Sequence, residues 1–215
     1  SGKKILITAG PTYEKIDPVR FIGNYSSGKM GFALAEACAE RGAEVTLVAG
    51  PVSLKTHHPA IKRIDVESAG EMYQAAITAF PSSDAAILCA AVADYRPENA
   101  SEQKIKRETE GEMTLHLVPN PDIAASLGAI KREGQVMVGF ALETNDEATH
   151  AEGKLKRKNL DFIVLNSLRD QGAGFRCDTN KITIIDKEGG TTVYPLKSKQ
   201  GVAVDIINKL ATLLK

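Results

Sequence analysis

ILITAGPTYEKIDPVRFIGNYSSGKMG, residues 5–31, is the segment that decides the fold of this chain. Its apolar, β-branched beginning predicts a strand, a long loop with glycine and proline follows, and SSGKMG predicts the start of a helix. The loop places donors and cations just ahead of that helix, namely Arg20, Asn24, Ser26, Ser27 and Lys29. Because the amino end of a helix attracts anions through its N–H groups and its dipole, the segment predicts a nucleotide-phosphate site.

The segment differs from a dinucleotide-binding fingerprint. That motif needs GxGxxG directly after the first strand and an acidic residue about 20 residues further on. Here a long polar insertion separates Gly10 from Gly28, and the second predicted strand ends in Ala49-Gly50-Pro51 without a carboxylate. The sequence therefore disfavours a nicotinamide cofactor.

Two other nucleotide motifs match in spacing but fail in context. GNYSSGKM at residues 23–30 fits GxxxxGK, but Met30 stands where a P-loop needs Ser or Thr to hold magnesium, and no clear strand directly precedes the motif. Tyr25 and Lys29 have the YxxxK spacing of short-chain dehydrogenases, but they lie in the first crossover rather than after a later strand. We assign neither motif.

Composition limits the class of protein. The chain has 215 residues, 43% of them hydrophobic, which suits one α/β domain over residues 1–215. Lys+Arg and Asp+Glu both total 27, and this balance argues against a nucleic-acid or membrane-surface binder. No apolar run approaches the roughly 18 residues of a membrane span and no signal peptide precedes the first strand, so we expect a cytoplasmic protein. The initial Ser-Gly, without Met, indicates a domain taken from a longer polypeptide.

The cysteines and histidines lack the spacing of metal ligands. Cys38, Cys89 and Cys177 are far apart and none lies in a CxxC motif. We interpret them as buried, reduced thiols, and the four histidines as surface residues.

Apolar β-branched runs alternate with helical patterns along the chain, which predicts an α/β fold with a Rossmann-like, doubly wound, mostly parallel sheet. Strands are predicted at residues 4–8, 44–49, 63–66, 85–91, 136–141 and 162–165. Helices are predicted at residues 29–41, 69–80, 121–131, 146–158 and 202–214. In such folds ligands bind at the carboxyl ends of the strands.

Two segments outside this alternation predict inserted β-hairpins. Residues 104–118 have Glu110-Gly111 as a predicted turn, and alternating Met113, Leu115 and Leu117 give one arm an apolar face that suggests pairing with another chain. Residues 181–195 turn at Gly189-Gly190 and predict a structural hairpin at the sheet edge.

Residues at the predicted strand ends have two interpretations each. Small residues from Ala90 to Asp94 could admit a base or ribose, or could simply allow close helix packing. Basic residues between Lys154 and Lys158 could contact a ligand, or could offset the dipole at a helix carboxyl end. Asn120 is most simply a helix cap.

The blocks TAGPT, DPVRFIGNYSSGKMG, CAAVADY, KIK, NPDI, VGFALET and KLKRKNLDFIVLN occur in an order that closely resembles one family. This is the bacterial phosphopantothenoylcysteine synthetase family, the ligase domain of the bifunctional coenzyme A biosynthesis protein. The resemblance covers essentially the whole chain. It implies a magnesium-dependent ligation in which 4′-phosphopantothenate reacts with CTP to give an acyl-cytidylate and pyrophosphate, and L-cysteine then displaces CMP.

The resemblance also implies a role for individual residues. Lys104 matches the family lysine of the first step, and Asn24 matches the asparagine required to turn over the intermediate. Arg20, Asn24 and Arg107 are expected to contact the acid substrate, although Arg107 stands where we expect lysine. Nucleotide contacts are expected from Gly10, Ser26, Ser27, Gly28, Ala90, Asp94, Asn120, Pro121, Phe140, Lys154 and Lys158. No metal ligand is assigned.

The same resemblance implies two kinds of partner. The 104–118 hairpin is expected to contribute to a homodimer, and a phosphopantothenoylcysteine decarboxylase domain is expected to be fused ahead of this one.

Two alternative functions stay open at this point: an NAD(P)-binding oxidoreductase and a non-catalytic nucleotide-binding module.

Overall fold

Strands and helices alternate along the computed structural model, which describes residues 1–107, 111–143, 147–167 and 178–214. The strands are β1 Lys4–Ala9, β2 Glu14–Lys15, β3 Phe21–Ile22, β4 Glu44–Ala49, β5 Ile61–Asp65, β6 Ala85–Leu88, β7 Tyr95–Pro97, β8 Leu117–Pro119, β9 Val136–Glu143, β10 Phe162–Ser167, β11 Thr179–Asn180, β12 Ile182–Asp186, β13 Thr191–Val193 and β14 Lys197–Ser198. The α-helices are α1 Lys29–Glu40, α2 Ala69–Ala79, α3 Ile123–Ile130, α4 Glu147–Arg157 and α5 Lys199–Leu213.

Eight of these strands form one central sheet in the order β13-β12-β10-β9-β6-β1-β4-β5. Six neighbouring strands of this sheet are parallel to one another, namely β10, β9, β6, β1, β4 and β5. β12 pairs antiparallel with β10, and β13 pairs antiparallel with β12. Separate two-stranded ladders join β2 to β3, β7 to β8 and β11 to β14. This arrangement confirms the predicted Rossmann-like, mostly parallel α/β fold.

The helices cover both faces of the sheet. Leu6 and Ile7 are neighbours in β1 and both are fully buried, because successive strand residues point to opposite faces. Ile7 belongs to the core beneath α1 and α5, whereas Leu6 belongs to the core beneath α2, α3 and α4. Each helix in the described ranges is too short or too polar to span a bilayer.

Helix ends differ from the predicted ends by a few residues, and local capping explains the differences. The third predicted helix begins at Ile123 because the Asp122 side chain accepts a hydrogen bond from the Ala125 N–H at 3.0 Å. The last helix begins three residues early, at Lys199, because Ser198 Oγ accepts from the Gly201 N–H at 3.1 Å.

The segment at residues 104–118 differs from the expected hairpin. Residues 104–107 and 111–116 contain no strand, and the last two residues of the segment belong to β8, which pairs with β7 instead. Ile105 makes its backbone hydrogen bonds with Asp17 and Arg20, in the turn between β2 and β3. That long-range contact takes the place of pairing between two arms. Glu110, in the predicted turn, lies outside the described residues.

Residues 181–195 form an antiparallel hairpin from β12 and β13. Gly189 has φ 88°, the left-handed conformation that glycine adopts readily, and the Asp186 N–H donates to the Gly190 carbonyl at 2.9 Å. The hairpin lies at the outer edge of the sheet, away from the ends of the central parallel strands.

Candidate functional site

A cavity of about 650 Å³ opens at the carboxyl ends of the parallel strands. It lies beside β1 and β6, where the winding of the sheet reverses and where doubly wound folds bind ligands. Most of the residues predicted to contact a nucleotide line it, namely Ser26, Ser27, Gly28, Ala90, Asp94, Asn120, Pro121, Phe140 and Lys158.

One wall of the cavity is the amino end of α1. Gly28 precedes the helix with φ 77°, and a Cβ at this position would lie 3.2 Å from Val52 Cγ1, so both conformation and space favour glycine. Asn24 Oδ1 accepts from the Ser26 N–H at 3.0 Å, and Ser26 Oγ accepts from the Gly28 N–H at 3.4 Å. The first turn carries no acidic side chain. The N–H groups and the helix dipole therefore favour an anion in the cavity.

A second part of the lining consists of small residues that follow β6. Two buried hydroxyls hold its backbone: Thr8 Oγ1 accepts from the Ala90 N–H at 3.4 Å, and Thr12 Oγ1 accepts from the Ala93 N–H at 2.9 Å. The Phe140 ring contributes an aromatic surface from β9. Short side chains and an aromatic ring together give a slot that suits a flat base.

Asn120 joins this wall to the start of α3. Its Nδ2 donates to Glu14 Oε1 and to the Ala93 carbonyl, both at 2.8 Å, and its Oδ1 accepts from Arg96 Nη1 at 3.2 Å. The prediction that Asn120 caps the helix is wrong, because Asp122 makes the capping bond. The side chain of Asn120 instead fixes the distance between two segments that line the cavity.

The cavity is lined by three cations and two carboxylates, namely Lys29, Lys158, Lys199, Asp94 and Asp122. Lys158 Nζ lies 3.0 Å from Asp122 Oδ2. Burial acts to raise the pKa of Asp122, but the N–H at the start of α3 and the Lys158 ammonium outweigh it and hold the pKa below its ordinary value. Lys29 Nζ lies 2.6 Å from Asp178 Oδ1, whose side chain is 87% exposed. Cations exceed carboxylates in the lining by one, which favours an anionic ligand.

Asn166, Asn180 and Lys199 also line the cavity and were not predicted from the sequence. Lys199 is only 4% exposed, and its Nζ donates to Asn180 Oδ1 at 2.8 Å. Asn166, at the end of β10, has a buried Oδ1 with no hydrogen-bond partner among the described residues. Inspecting every strand end could have found Asn166, whereas no local pattern marks Lys199.

Cys38 and Cys89 are free cysteines within the described residues; Cys38 is buried as predicted, whereas Cys89 is only half-buried by its exposed area. Burial raises the pKa of each thiol to about 12. Cys89 lines the cavity. Because its pKa is raised, its thiol is uncharged near neutral pH and does not repel an anionic ligand. Cys177 lies outside the described residues.

Several predicted site residues do not line the cavity: Gly10, Arg20, Asn24, Lys104, Arg107 and Lys154. Gly10 lies next to Gly28, since a Cβ on Gly28 would lie 3.5 Å from Gly10 Cα. Asn24 borders the cavity, with its Nδ2 donating to the Ala91 carbonyl at 2.6 Å. Lys104 and Arg107 are exposed, and Lys154 is half-buried on α4.

The described residues contain no group of three or more His, Cys, Asp or Glu side chains that could hold a metal ion. The cavity contributes carboxylates only from Asp94 and Asp122. This donor set fits Mg²⁺ held mainly by phosphate oxygens and water better than Mg²⁺ in a protein cage.

Comparison with known proteins gives consistent relatives over the full chain. The profile of the family described as DNA/pantothenate metabolism flavoprotein C-terminal domain matches residues 1–214. A protein named cysteine/cysteine sulfinic acid decarboxylase, from an unknown prokaryotic organism, is 58% identical over 100% of this chain and 59% of its own length. The coenzyme A biosynthesis bifunctional protein CoaBC of Vibrio parahaemolyticus is 50% identical over 99% of this chain and 53% of its own length. The chain thus spans little more than half the length of these curated relatives.

A solved structure has the same architecture. The crystal structure of the C-terminal domain of a coenzyme A biosynthesis bifunctional protein CoaBC superposes with a TM-score of 0.84 at 40% sequence identity. The match covers 100% of this chain and 96% of that one. Sheet and flanking helices therefore correspond throughout the two domains.

Proposed function

This chain belongs to the DNA/pantothenate metabolism flavoprotein C-terminal domain family, and from that premise we propose that it is a ligase joining 4′-phosphopantothenate to L-cysteine with CTP as cosubstrate. The names of the bifunctional coenzyme A biosynthesis relatives support this assignment. Those relatives extend well beyond the matched part, which supports the expectation of a decarboxylase domain in the same polypeptide. We assign the decarboxylase activity named in one relative to that other part.

One observation carries the proposal: the acid-free amino end of α1 and a stretch of small residues after β6 line the same cavity. The first can hold a triphosphate, and the second leaves room for the base and ribose. We place the phosphates against Ser26, Ser27 and Gly28, and the cytidine near Ala90 and Asp94. The remaining nucleotide contacts expected from the sequence are Gly10, Asn120, Pro121, Phe140, Lys154 and Lys158.

The first step is attack of the substrate carboxylate on the α-phosphate of CTP, with pyrophosphate as the leaving group. Negative charge builds on the phosphorus centre and on the leaving group, so fixed cations and N–H donors lower the barrier more than a base would. We assign Lys104 to this charge, with Arg20 and Arg107 toward the acid substrate. Magnesium would enter with the triphosphate and neutralise part of its charge.

The second step is attack of the cysteine amine on the acyl carbon, which places negative charge on the acyl oxygen. An amide nitrogen carries two hydrogens, and Asn24 Nδ2 uses one of them to bind the Ala91 carbonyl. We assign the second hydrogen to the developing oxyanion. A neutral donor suits this step because it stabilises the oxyanion without adding charge.

The geometry disfavours the nicotinamide alternative. In dinucleotide-binding domains an acidic side chain at the end of the second strand binds the ribose. Here β4 is followed by Gly50, where a Cβ would lie 1.6 Å from the Pro11 carbonyl oxygen. No side chain fits at this position without moving the loop after β1.

The decisive experiment measures pyrophosphate release from CTP with 4′-phosphopantothenate present and cysteine absent, and then CMP and product after cysteine is added. We expect release only when the acid substrate is present. ATP and NAD⁺ serve as comparison ligands. Binding of CTP without pyrophosphate release would indicate a nucleotide-binding module, and binding of NAD⁺ without CTP would indicate the oxidoreductase; either result contradicts the proposal.

A further inference from the structure

Asp17 is a buried carboxylate in the turn between β2 and β3, and it has no role in the two reaction steps proposed above. Its side chain is fully buried, while the Arg20 side chain that pairs with it is 43% exposed. Arg20 donates to Asp17 Oδ2 through Nε at 3.0 Å and through Nη2 at 2.5 Å. The guanidinium holds the pKa of Asp17 far below its usual range, so the carboxylate stays charged at any working pH.

The two oxygens of Asp17 have separate partners. Oδ1 accepts from the N–H groups of Val19 and Arg20, both at 2.8 Å, and thereby closes the turn itself. Oδ2 accepts from the Arg20 guanidinium and also from the Ile105 N–H at 3.1 Å, 88 residues away in sequence. One oxygen therefore builds the turn, and the other holds a distant segment against it.

The Asp17–Arg20 pair binds both backbone polar groups of Ile105, the N–H and the carbonyl. Asp17 accepts from its N–H, and Arg20 Nη2 donates to its carbonyl at 2.7 Å. The Ser101 N–H donates to the Ile16 carbonyl at 2.9 Å, which brings the chain to the turn a few residues earlier. Lys104 directly precedes Ile105 in the chain.

The exposed side chains around Ile105 give this segment little packing. Lys104, Lys106 and Arg107 are all exposed, while Ile105 is half-buried. The position of the Lys104 backbone therefore depends mainly on the hydrogen bonds that Ile105 makes with the turn. Charge-assisted hydrogen bonds are stronger than neutral ones, which makes an ionised pair an effective anchor for such a segment.

We propose that the Asp17–Arg20 pair is a positioning device that holds the Ile105 backbone and so places the Lys104 ammonium at the reacting phosphates. The inference rests on the proposed function for the role of Lys104. It gives Arg20 a second task, which acts through the protein and adds to the substrate contact proposed above.

Asp17→Asn tests the proposal selectively. An amide can keep its oxygen toward the N–H groups of Val19 and Arg20, so the turn retains its bonds. Its NH₂ then faces the three donors from Arg20 and Ile105, and the segment is released. Arg20→Lys is a second variant, because one ammonium keeps the charge but cannot form the paired bonds to Asp17 and still reach the Ile105 carbonyl.

The first readout is limited trypsin proteolysis, which is independent of activity. Trypsin cleaves after Lys104, Lys106 and Arg107, and mass spectrometry identifies the cuts. Loss of a charge-assisted hydrogen bond raises local opening about 10- to 100-fold, so we expect cleavage there to accelerate by that order in Asp17→Asn. Asp161→Asn is the matched control, since Asp161 is also buried and paired with lysines but lies far from this turn along the chain. Unchanged cleavage at residues 104–107 in Asp17→Asn and Arg20→Lys overturns the proposal.

The second readout is a double-mutant cycle with Lys104→Gln. We expect Asp17→Asn to lower kcat for pyrophosphate release about 10-fold or more in the wild-type background and to change it less than 2-fold in the Lys104→Gln background. A purely structural defect would lower both by the same factor, and that result contradicts the positioning role. A wild-type protein that releases no pyrophosphate overturns the proposed function and the task of Lys104, while the proteolysis result still decides whether Asp17 and Arg20 hold the segment.

Discussion

Gly31 is the position where a single methyl group should disturb both the fold and the candidate site. It lies in the first turn of α1, where a Cβ would sit 2.4 Å from Ala9 Cβ and 3.1 Å from Ala9 Cα in the fully buried end of β1. Neither neighbour can rotate away, because both atoms belong to the strand itself. Gly31→Ala must therefore push the helix start and the strand apart, by roughly 1 Å to reach ordinary contact distance.

The expected change in the free energy of unfolding is the balance of two opposing effects. Replacing glycine by alanine in a helix gains about 1 kcal/mol of stability through backbone entropy. Overpacking against a rigid neighbour costs about 1–3 kcal/mol. Gly31→Ala should therefore lower the free energy of unfolding by up to about 2 kcal/mol, and a 1 Å displacement of the phosphate-binding amides should reduce activity by up to about 100-fold.

Gly153→Ala is the matched control for this prediction. Gly153 lies in α4, where a Cβ would meet nothing within 4 Å, so the same substitution should stabilise the protein by about 1 kcal/mol. Chemical denaturation of both variants should differ by about 1–3 kcal/mol, and CTP titration should show weaker binding only for Gly31→Ala. Equal stabilisation by the two substitutions, with unchanged CTP affinity, would refute the argument that close helix–strand contact shapes the phosphate site.

Three further predictions concern the chemistry and the pH dependence of stability. Lys104→Gln should slow pyrophosphate release by about 10²–10³-fold and leave a measurable residual rate, because the leaving group loses its cation; accumulation of acyl-cytidylate at the wild-type rate in a quench assay would contradict this. Asn24→Asp should still release pyrophosphate but form amide about 10²–10³-fold more slowly, since a carboxylate cannot donate to an oxyanion, and normal product formation after cysteine addition would refute that role. For Asp161, burial raises the pKa, but Lys131, Lys187 and the Met137 N–H outweigh it and hold the pKa below its ordinary value of 3.8. A lowered folded-state pKa contributes stability that is present above that ordinary value and is lost on further acidification, so Asp161→Asn should reduce the steepness of acid destabilisation below about pH 4 by up to about 1.4 kcal/mol per pH unit.

The central architecture could be predicted from the sequence because it follows from local patterns. The second long strand is predicted at residues 44–49 and is found at Glu44–Ala49. Its apolar, β-branched run has glycine shortly before it and Gly50-Pro51 directly after it, and these residues mark both ends. The helix that starts within SSGKMG begins at Lys29 as expected, directly after Gly28, which adopts the positive φ that glycine tolerates. These elements also place the candidate cavity, since strand ends and helix starts define its edges.

Long-range contacts explain what could not be predicted from the sequence. The pairing of β7 with β8 involves three residues on each side and includes Pro97, too short a pattern to distinguish from loop. Lys199 enters the cavity only because α5 packs beside α1, a contact between opposite ends of the chain. Likewise, Asp17 looks like a surface turn residue in sequence, and only the fold brings Ile105 to its second oxygen.

The turn around Asp17 connects the two residues to which separate chemical steps are assigned. Asn24 follows Arg20 by four residues, across the short strand β3, and Lys104 is attached through Ile105. The two assigned groups therefore depend on one turn, although 80 residues separate them in sequence. A disturbance at this turn should slow both steps, whereas a disturbance at Gly31 acts through the phosphate site and should slow the first step more than the second. Single-turnover experiments give the rate of acyl-cytidylate formation and the rate of amide formation. The ratio of these two rates therefore distinguishes displacement of the phosphates from displacement of Asn24 and Lys104.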